Sequence, residues 1–85
     1  MRVVLFHAIQ SQHPRDWLHF RQEAGVIVMQ LKNVETLGEN VWLINQPDQQ
    51  MSLDELAKVA TRNGISYRTL EFDLEEQWEH HQYPI

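Results

Sequence analysis

The segment 51–64, MSLDELAKVATRNG, restricts the possible folds more than any other stretch, because several independent helix signals agree within it. Ser52 and Glu55 have the spacing of a capping box, in which each side chain accepts a hydrogen bond from the other residue's backbone amide. Met51 precedes this cap and is placed to form a hydrophobic staple with Leu56. Asn63-Gly64 is typical of a left-handed helix end. The segment therefore predicts a helix that is capped at Ser52 and packs through an apolar stripe of Leu53, Leu56, Ala57 and Ala60.

Apolar runs elsewhere predict a sheet. Residues 3–9, 26–31 and 41–44 are rich in β-branched and aromatic side chains with few polar positions, which favours strands buried on both faces. The second run is expected to continue through the more polar residues 32–36 and to form an antiparallel hairpin with the third. Residues 65–72 alternate between polar and apolar side chains, which predicts a fourth strand at a sheet edge.

A first helix is predicted between the first two strands. Pro14 suits the first position of a helix, with Ser11 or His13 near the cap, and Gly25 is expected to end it. The element order is then strand, helix, strand, strand, helix, strand. With short, right-handed connections this order favours a ferredoxin-like βαββαβ fold, a four-stranded antiparallel sheet with two helices on one face.

Eighty-five residues with 42% hydrophobic side chains predict a single globular domain over 1–85. Its core is expected over 1–73. Residues 74–85 are expected to form an acidic tail that begins with a short helical segment. Five of the 12 acidic residues, and no Lys or Arg, lie in 71–85, so the rest of the chain is electrically neutral. Such a distribution offers no basic surface for nucleic acid, which makes nucleic acid an unexpected partner.

The absence of cysteine excludes disulfides, thiolate metal sites and thiol nucleophiles. The longest apolar runs are too short to cross a membrane, and the first residues lack the pattern of a signal peptide. These features predict a cytoplasmic protein without a membrane interaction.

Residues 56–70 also resemble the helix-turn-helix signature, with Ala60 as the small contact residue, Gly64 in the turn and Ser66 as the second cap. The resemblance implies a DNA binder that uses residues 56–75, with Tyr67 and Arg68 facing DNA. The implied recognition helix would carry one Arg and five acids, which opposes phosphate binding. A helix end that runs into a strand is the favoured interpretation.

The five histidines do not form a pattern that identifies a metal site or a catalytic group. Asp16, His19 and Glu23 share a helix face, but that spacing also suits an ordinary solvated surface. His7 lies within an apolar strand and could line a small pocket. The glycines stand singly, so no phosphate-binding loop is present. The sequence therefore predicts no catalytic residue, no metal ligand and no cofactor, and it favours a protein that is not an enzyme.

The predicted sheet has more apolar surface than two helices can cover. A second copy of the chain is the simplest cover for the other face. We expect a small interaction or regulatory module that dimerises through its sheet face and binds a basic protein partner. The alternative is a ligand-binding or enzymatic dimer with a pocket around His7. The candidate binding residues are His7, Trp42, Trp78, Glu75, Glu76 and Glu79.

Overall fold

A computed structural model describes residues 2–74 and 81. Within these residues the chain forms four strands and two helices. They are β1 (Arg2–Ala8), α1 (Pro14–Gln30), β2 (Val34–Thr36), β3 (Val41–Ile44), α2 (Gln49–Arg62) and β4 (Tyr67–Asp73). The predicted helical segment after residue 74 lies outside the described residues.

The strands form an antiparallel sheet in the order β2-β3-β1-β4. In the centre, Phe6 of β1 is level with Trp42 of β3 on one side and with Thr69 of β4 on the other. Both helices pack on the same face of this sheet. The predicted ferredoxin-like βαββαβ arrangement is confirmed.

The hydrophobic core lies between the helices and this face of the sheet. Aromatic rings fill its centre: the ring of Trp42 lies 6.0 Å from that of Phe6 and 5.9 Å from that of Phe20, between ring centroids. Aliphatic side chains from α2, from the sheet and from the segment between α2 and β4 complete it, including Val4, Ile44, Leu56, Val59 and Ile65. Burial of this apolar surface is the main term that stabilises the fold.

The prediction that α1 ends at Gly25 and that residues 26–31 form a strand is wrong. The helix continues to Gln30, and β2 contains only Val34–Thr36 of the predicted second strand. The reason is a helical stripe that runs through the glycine and packs on the core: Trp17, Phe20, Ala24, Ile27 and Val28. Packing of this stripe outweighs the β-preference of the Val-Ile-Val run, because local propensities are small beside burial.

The capping box predicted at Ser52 is also absent from the structure. α2 begins four residues earlier than predicted, with Asp48 as its N-cap in the left-handed conformation (φ 63°). Ser52 is completely buried in the first turns of the helix, and its hydroxyl donates to Asn33 Oδ1 at 2.6 Å. Met51 is 56% exposed and lies within the helix, so it does not precede a cap as a staple.

The fourth strand is confirmed with shifted bounds, since β4 covers Tyr67–Asp73. It pairs with the whole of β1, from Arg2 opposite Asp73 to Ala8 opposite Tyr67. Residues 67–73, which a helix-turn-helix would place in its recognition helix, therefore form an edge strand. That interpretation of residues 56–75 is wrong.

Candidate functional site

The sheet face that points away from the helices carries the candidate site. Because side chains alternate along a strand, residues 3, 5 and 7 of β1 point to this face, while Val4, Phe6 and Ala8 point to the core. The register adds their neighbours on β3 and β4: Val41 and Leu43, and Arg68, Leu70 and Phe72. We call these eight residues the open face.

Accessibility differs along the open face. Val3 and Leu43 are buried, with 0% and 1% exposure. Near His7, by contrast, the face is accessible: Leu5, His7 and Val41 are half-buried, and Leu70 is 59% exposed. An apolar side chain this exposed beside other apolar groups marks a surface that can gain free energy by being covered.

His7 is held between two side chains. Arg68, its neighbour on β4, donates from Nε to His7 Nδ1 at 2.9 Å. On the other side of the ring, Asn40 Nδ2 lies 3.3 Å from His7 Nε2. The imidazole is thereby fixed in position at one end of the open face.

Asn40 is itself fixed by β1. Its backbone carbonyl accepts from the Ala8 amide at 2.9 Å, and its side-chain Nδ2 donates to the Ala8 carbonyl at 2.9 Å. This pair of bonds ties the turn before β3 to the end of β1. The amide orientation follows, because Nδ2 must face the carbonyl oxygen of Ala8.

A pocket of about 500 Å³ lies beside this cluster. It is lined by Leu5, His7, Val41, Arg68, Thr69 and Leu70. His7, Arg68 and Thr69 are the polar members of this lining, and the other three side chains are apolar. An apolar pocket with a few convergent polar groups is the usual form of a small-molecule site.

The predicted binding residues separate in the structure. His7 lies on the open face, beside a pocket. Trp42 is 4% exposed and points to the helices, where it packs in the core. Trp78, Glu75, Glu76 and Glu79 lie outside the described residues, so their role stays a prediction.

Two residues of the cluster were not recognised in the sequence. The sequence suggests Arg68 only as a possible DNA contact, and it does not single out Asn40. Their proximity to His7 depends on the β1–β4 register and on the turn geometry before β3. A correct pairing of β1 with β4 in the sequence would have placed Arg68 level with His7, but nothing in the sequence fixes that register.

The polar face of α1 that includes Asp16, His19 and Glu23 has a structural role at Glu23. The Glu23 carboxylate accepts from Asn63 Nδ2 at 3.0 Å and forms an ion pair with Arg62, so it joins α1 to the end of α2. The hydrogen bond from Asn63, helped by Arg62, lowers the pKa of Glu23 below its ordinary value. Among residues 2–74 and 81, no group of three or more potential metal ligands comes together.

No helix among the described residues has both the length and the apolar character needed to cross a bilayer. Comparison of the chain with protein families, with curated proteins and with solved structures finds no match.

Proposed function

We propose that this protein is a small, non-enzymatic interaction module that forms a homodimer through its open face and binds a protein partner. The observation that carries the proposal is the exposed apolar surface around Leu70, Leu5 and Val41, on the side of the sheet that neither helix covers. Covering this surface with a second copy would remove apolar area from water on both chains at once.

The charges at the two edges of the sheet favour a second copy as the cover. Glu35 of β2 is level with Leu43 and shares its face, and Arg68 lies on the opposite edge strand, level with His7. A two-fold axis parallel to the strands places β2 of one copy opposite β4 of the other. Glu35 and Arg68 then differ by two residues, about 7 Å, along the strand direction. Their long side chains can span that offset, so the face is complementary to itself.

The dimer is tested by measuring molar mass with light scattering over a range of protein concentrations. We expect the wild-type chain to form a dimer and Leu70→Glu to be monomeric, because the variant places a charge in the exposed apolar part of the contact. Leu18→Glu is the matched control: Leu18 is 54% exposed, close to the 59% of Leu70, but lies on α1. Its dimer should persist. A wild-type chain that stays monomeric at every concentration would contradict the proposal. So would an equal loss of dimer in Leu70→Glu and Leu18→Glu.

The partner is proposed from charge. Residues 71–85 carry five acids and no Lys or Arg, which suits a basic protein surface and repels nucleic acid. Replacing Glu75, Glu76 and Glu79 with Gln should abolish salt-sensitive binding to an immobilised polylysine peptide while leaving the dimer intact. Equal binding of the wild-type and substituted chains would remove the charge argument.

The alternative function is a ligand-binding or enzymatic dimer with its pocket around His7. The pocket of about 500 Å³ next to the His7–Arg68 pair favours this alternative. A His7→Ala chain that loses ligand binding but still dimerises would support it.

A further inference from the structure

The hydrogen-bond donors around His7 outnumber the acceptors. Arg68 Nε donates to Nδ1, so Nδ1 carries no proton and the proton of a neutral imidazole lies on Nε2. Nε2 faces Asn40 Nδ2, which is also a donor. If the proton were on Nδ1 instead, it would face the Arg68 donor. In either tautomer one ring N–H points at another N–H group.

Rotating a side chain does not remove the mismatch. Turning the Asn40 amide would place its oxygen against the carbonyl oxygen of Ala8, where Nδ2 now donates at 2.9 Å. Turning the imidazole would take Nδ1 away from Arg68 Nε. The present orientations are those that keep both bonds, and they leave the His7 N–H and the second Asn40 amide hydrogen side by side.

The Arg68 side chain brings further N–H groups close to His7. A guanidinium has five N–H groups, and one of them is directed at His7. Arg2 and Arg62 form ion pairs with Glu71 and Glu23, whereas no carboxylate among residues 2–74 and 81 lies within ion-pair distance of Arg68. Among the described residues that line the pocket, none is acidic.

We propose that His7, Arg68 and Asn40 form a carboxylate-binding site. A carboxylate presents two acceptor oxygens to N–H groups that lack acceptors, and arginine binds it in a planar, two-point geometry. The part of the ligand next to the carboxylate would lie against Leu5, Val41 and Leu70, so the site suits a carboxylate on a small apolar group. The volume of about 500 Å³ lies within the range of small-molecule pockets.

Two sources can supply such a carboxylate: a small apolar acid from solution, or Glu35 of the second copy in the proposed dimer. The chemistry at His7 and Arg68 is the same for both. The proposal stands on hydrogen bonds within one chain, and it does not depend on whether the dimer forms.

Hexanoate is a suitable probe, titrated into ¹⁵N-labelled protein while amide shifts are recorded, with hexanol and hexylamine as matched ligands of the same length. We expect saturable shifts for Leu5, His7, Val41, Arg68 and Leu70 with hexanoate, and at least about tenfold weaker binding of the other two ligands. Arg68→Gln should weaken hexanoate binding by about tenfold or more, whereas Arg15→Gln, an exposed arginine on α1, should leave it unchanged.

The source is distinguished by repeating the titration with Glu35→Gln. Stronger hexanoate binding in that chain, together with a weaker dimer, assigns the carboxylate of the dimer to Glu35. Unchanged binding assigns the site to small acids. Long-range ¹H–¹⁵N spectra of the His7 ring provide a second readout, in which the Nε2–H proton should move downfield as hexanoate saturates.

The proposal is overturned if hexanoate gives no saturable shifts near His7 in either chain. Equal binding of hexanoate and hexanol, or full binding by a folded Arg68→Gln chain, would also overturn it, since the contact would then be merely apolar. A monomeric wild-type chain that binds hexanoate as expected would contradict the dimer proposal and support the carboxylate site.

Discussion

Gly25 lies in the interior of α1 with open space around it, since a methyl group added there would meet no atom within 4 Å. Glycine loses more conformational freedom in a helix than alanine does. Gly25→Ala should therefore raise the free energy of unfolding by about 0.5–1 kcal/mol, measured by urea denaturation. Gly64 is the matched control. Its φ of +68° disfavours a side chain, so Gly64→Ala should lower stability by about 1 kcal/mol. Equal effects of the two substitutions would contradict this assignment.

Ser52 is a buried polar residue that belongs to a hydrogen-bond network within the fold. Its hydroxyl donates to Asn33 Oδ1, and Asn33 Nδ2 in turn donates to the carbonyls of Asn45 and Pro47, both at 2.8 Å. This network ties the segment before β2 to the loop before α2. Ser52→Ala would leave a partly buried acceptor without its donor, which costs about 1–3 kcal/mol of unfolding free energy.

The test of the Ser52 network is a double-substitution cycle with Asn33→Ala. The two losses should be smaller in combination than their sum, because both remove the same hydrogen bond. If Ser52 stabilised α2 by capping it, the two effects would add. Additive losses would therefore contradict the network.

At the scale of elements, the contact of α1 with the end of α2 predicts a pH dependence. The pKa of Glu23 is lowered in the folded chain, so its contribution is complete above the ordinary carboxyl value of 4.5 and is lost as the pH falls through the lower, folded value. Thermal unfolding below pH 4.5 should show a smaller acid destabilisation in Glu23→Gln than in the wild-type chain. Glu55→Gln is a control, because within the described part of the chain Glu55 pairs only with Lys58 on its own helix, at 3.6 Å. If the Glu23→Gln and wild-type chains lost the same stability below pH 4.5, the proposed contribution of Glu23 would be contradicted.

The element order was predictable from the sequence, whereas several element bounds were not. Strands β1 and β3 and the end of α2 at Asn63-Gly64 followed from local patterns that agree with burial. The prediction of a strand over residues 26–31 was wrong, because a Val-Ile-Val run favours a strand locally, whereas contacts with the core favour the helix. The prediction of an N-cap at Ser52 was wrong, because its hydroxyl donates instead to Asn33, nineteen residues earlier in the chain.

The candidate site was predictable only at His7. A histidine in an apolar strand is a local observation, and it suggested a pocket at His7. Arg68 and Asn40 lie 61 and 33 residues further along the chain, and their contacts with His7 depend on strand register. Trp42 was predicted as a binding residue but lies in the core, because the sequence did not indicate which face of the sheet the helices cover.

At the scale of the whole molecule, the helices and one sheet face enclose a single core, while the open face keeps exposed apolar side chains. If a second copy covers that face, folding and association are linked, and stability depends on protein concentration. A tenfold rise in concentration should add about 0.7 kcal/mol per protomer, which raises the melting temperature by about 3–5 °C for a domain of this size. Calorimetry of wild-type and Leu70→Glu chains measures this. The melting temperature of the variant should not depend on concentration, because the variant is expected to be monomeric. Leu70 is 59% exposed, so its replacement should cost the folded monomer little stability. A wild-type melting temperature that is equally insensitive to concentration would mean that the open face is not covered by a second copy.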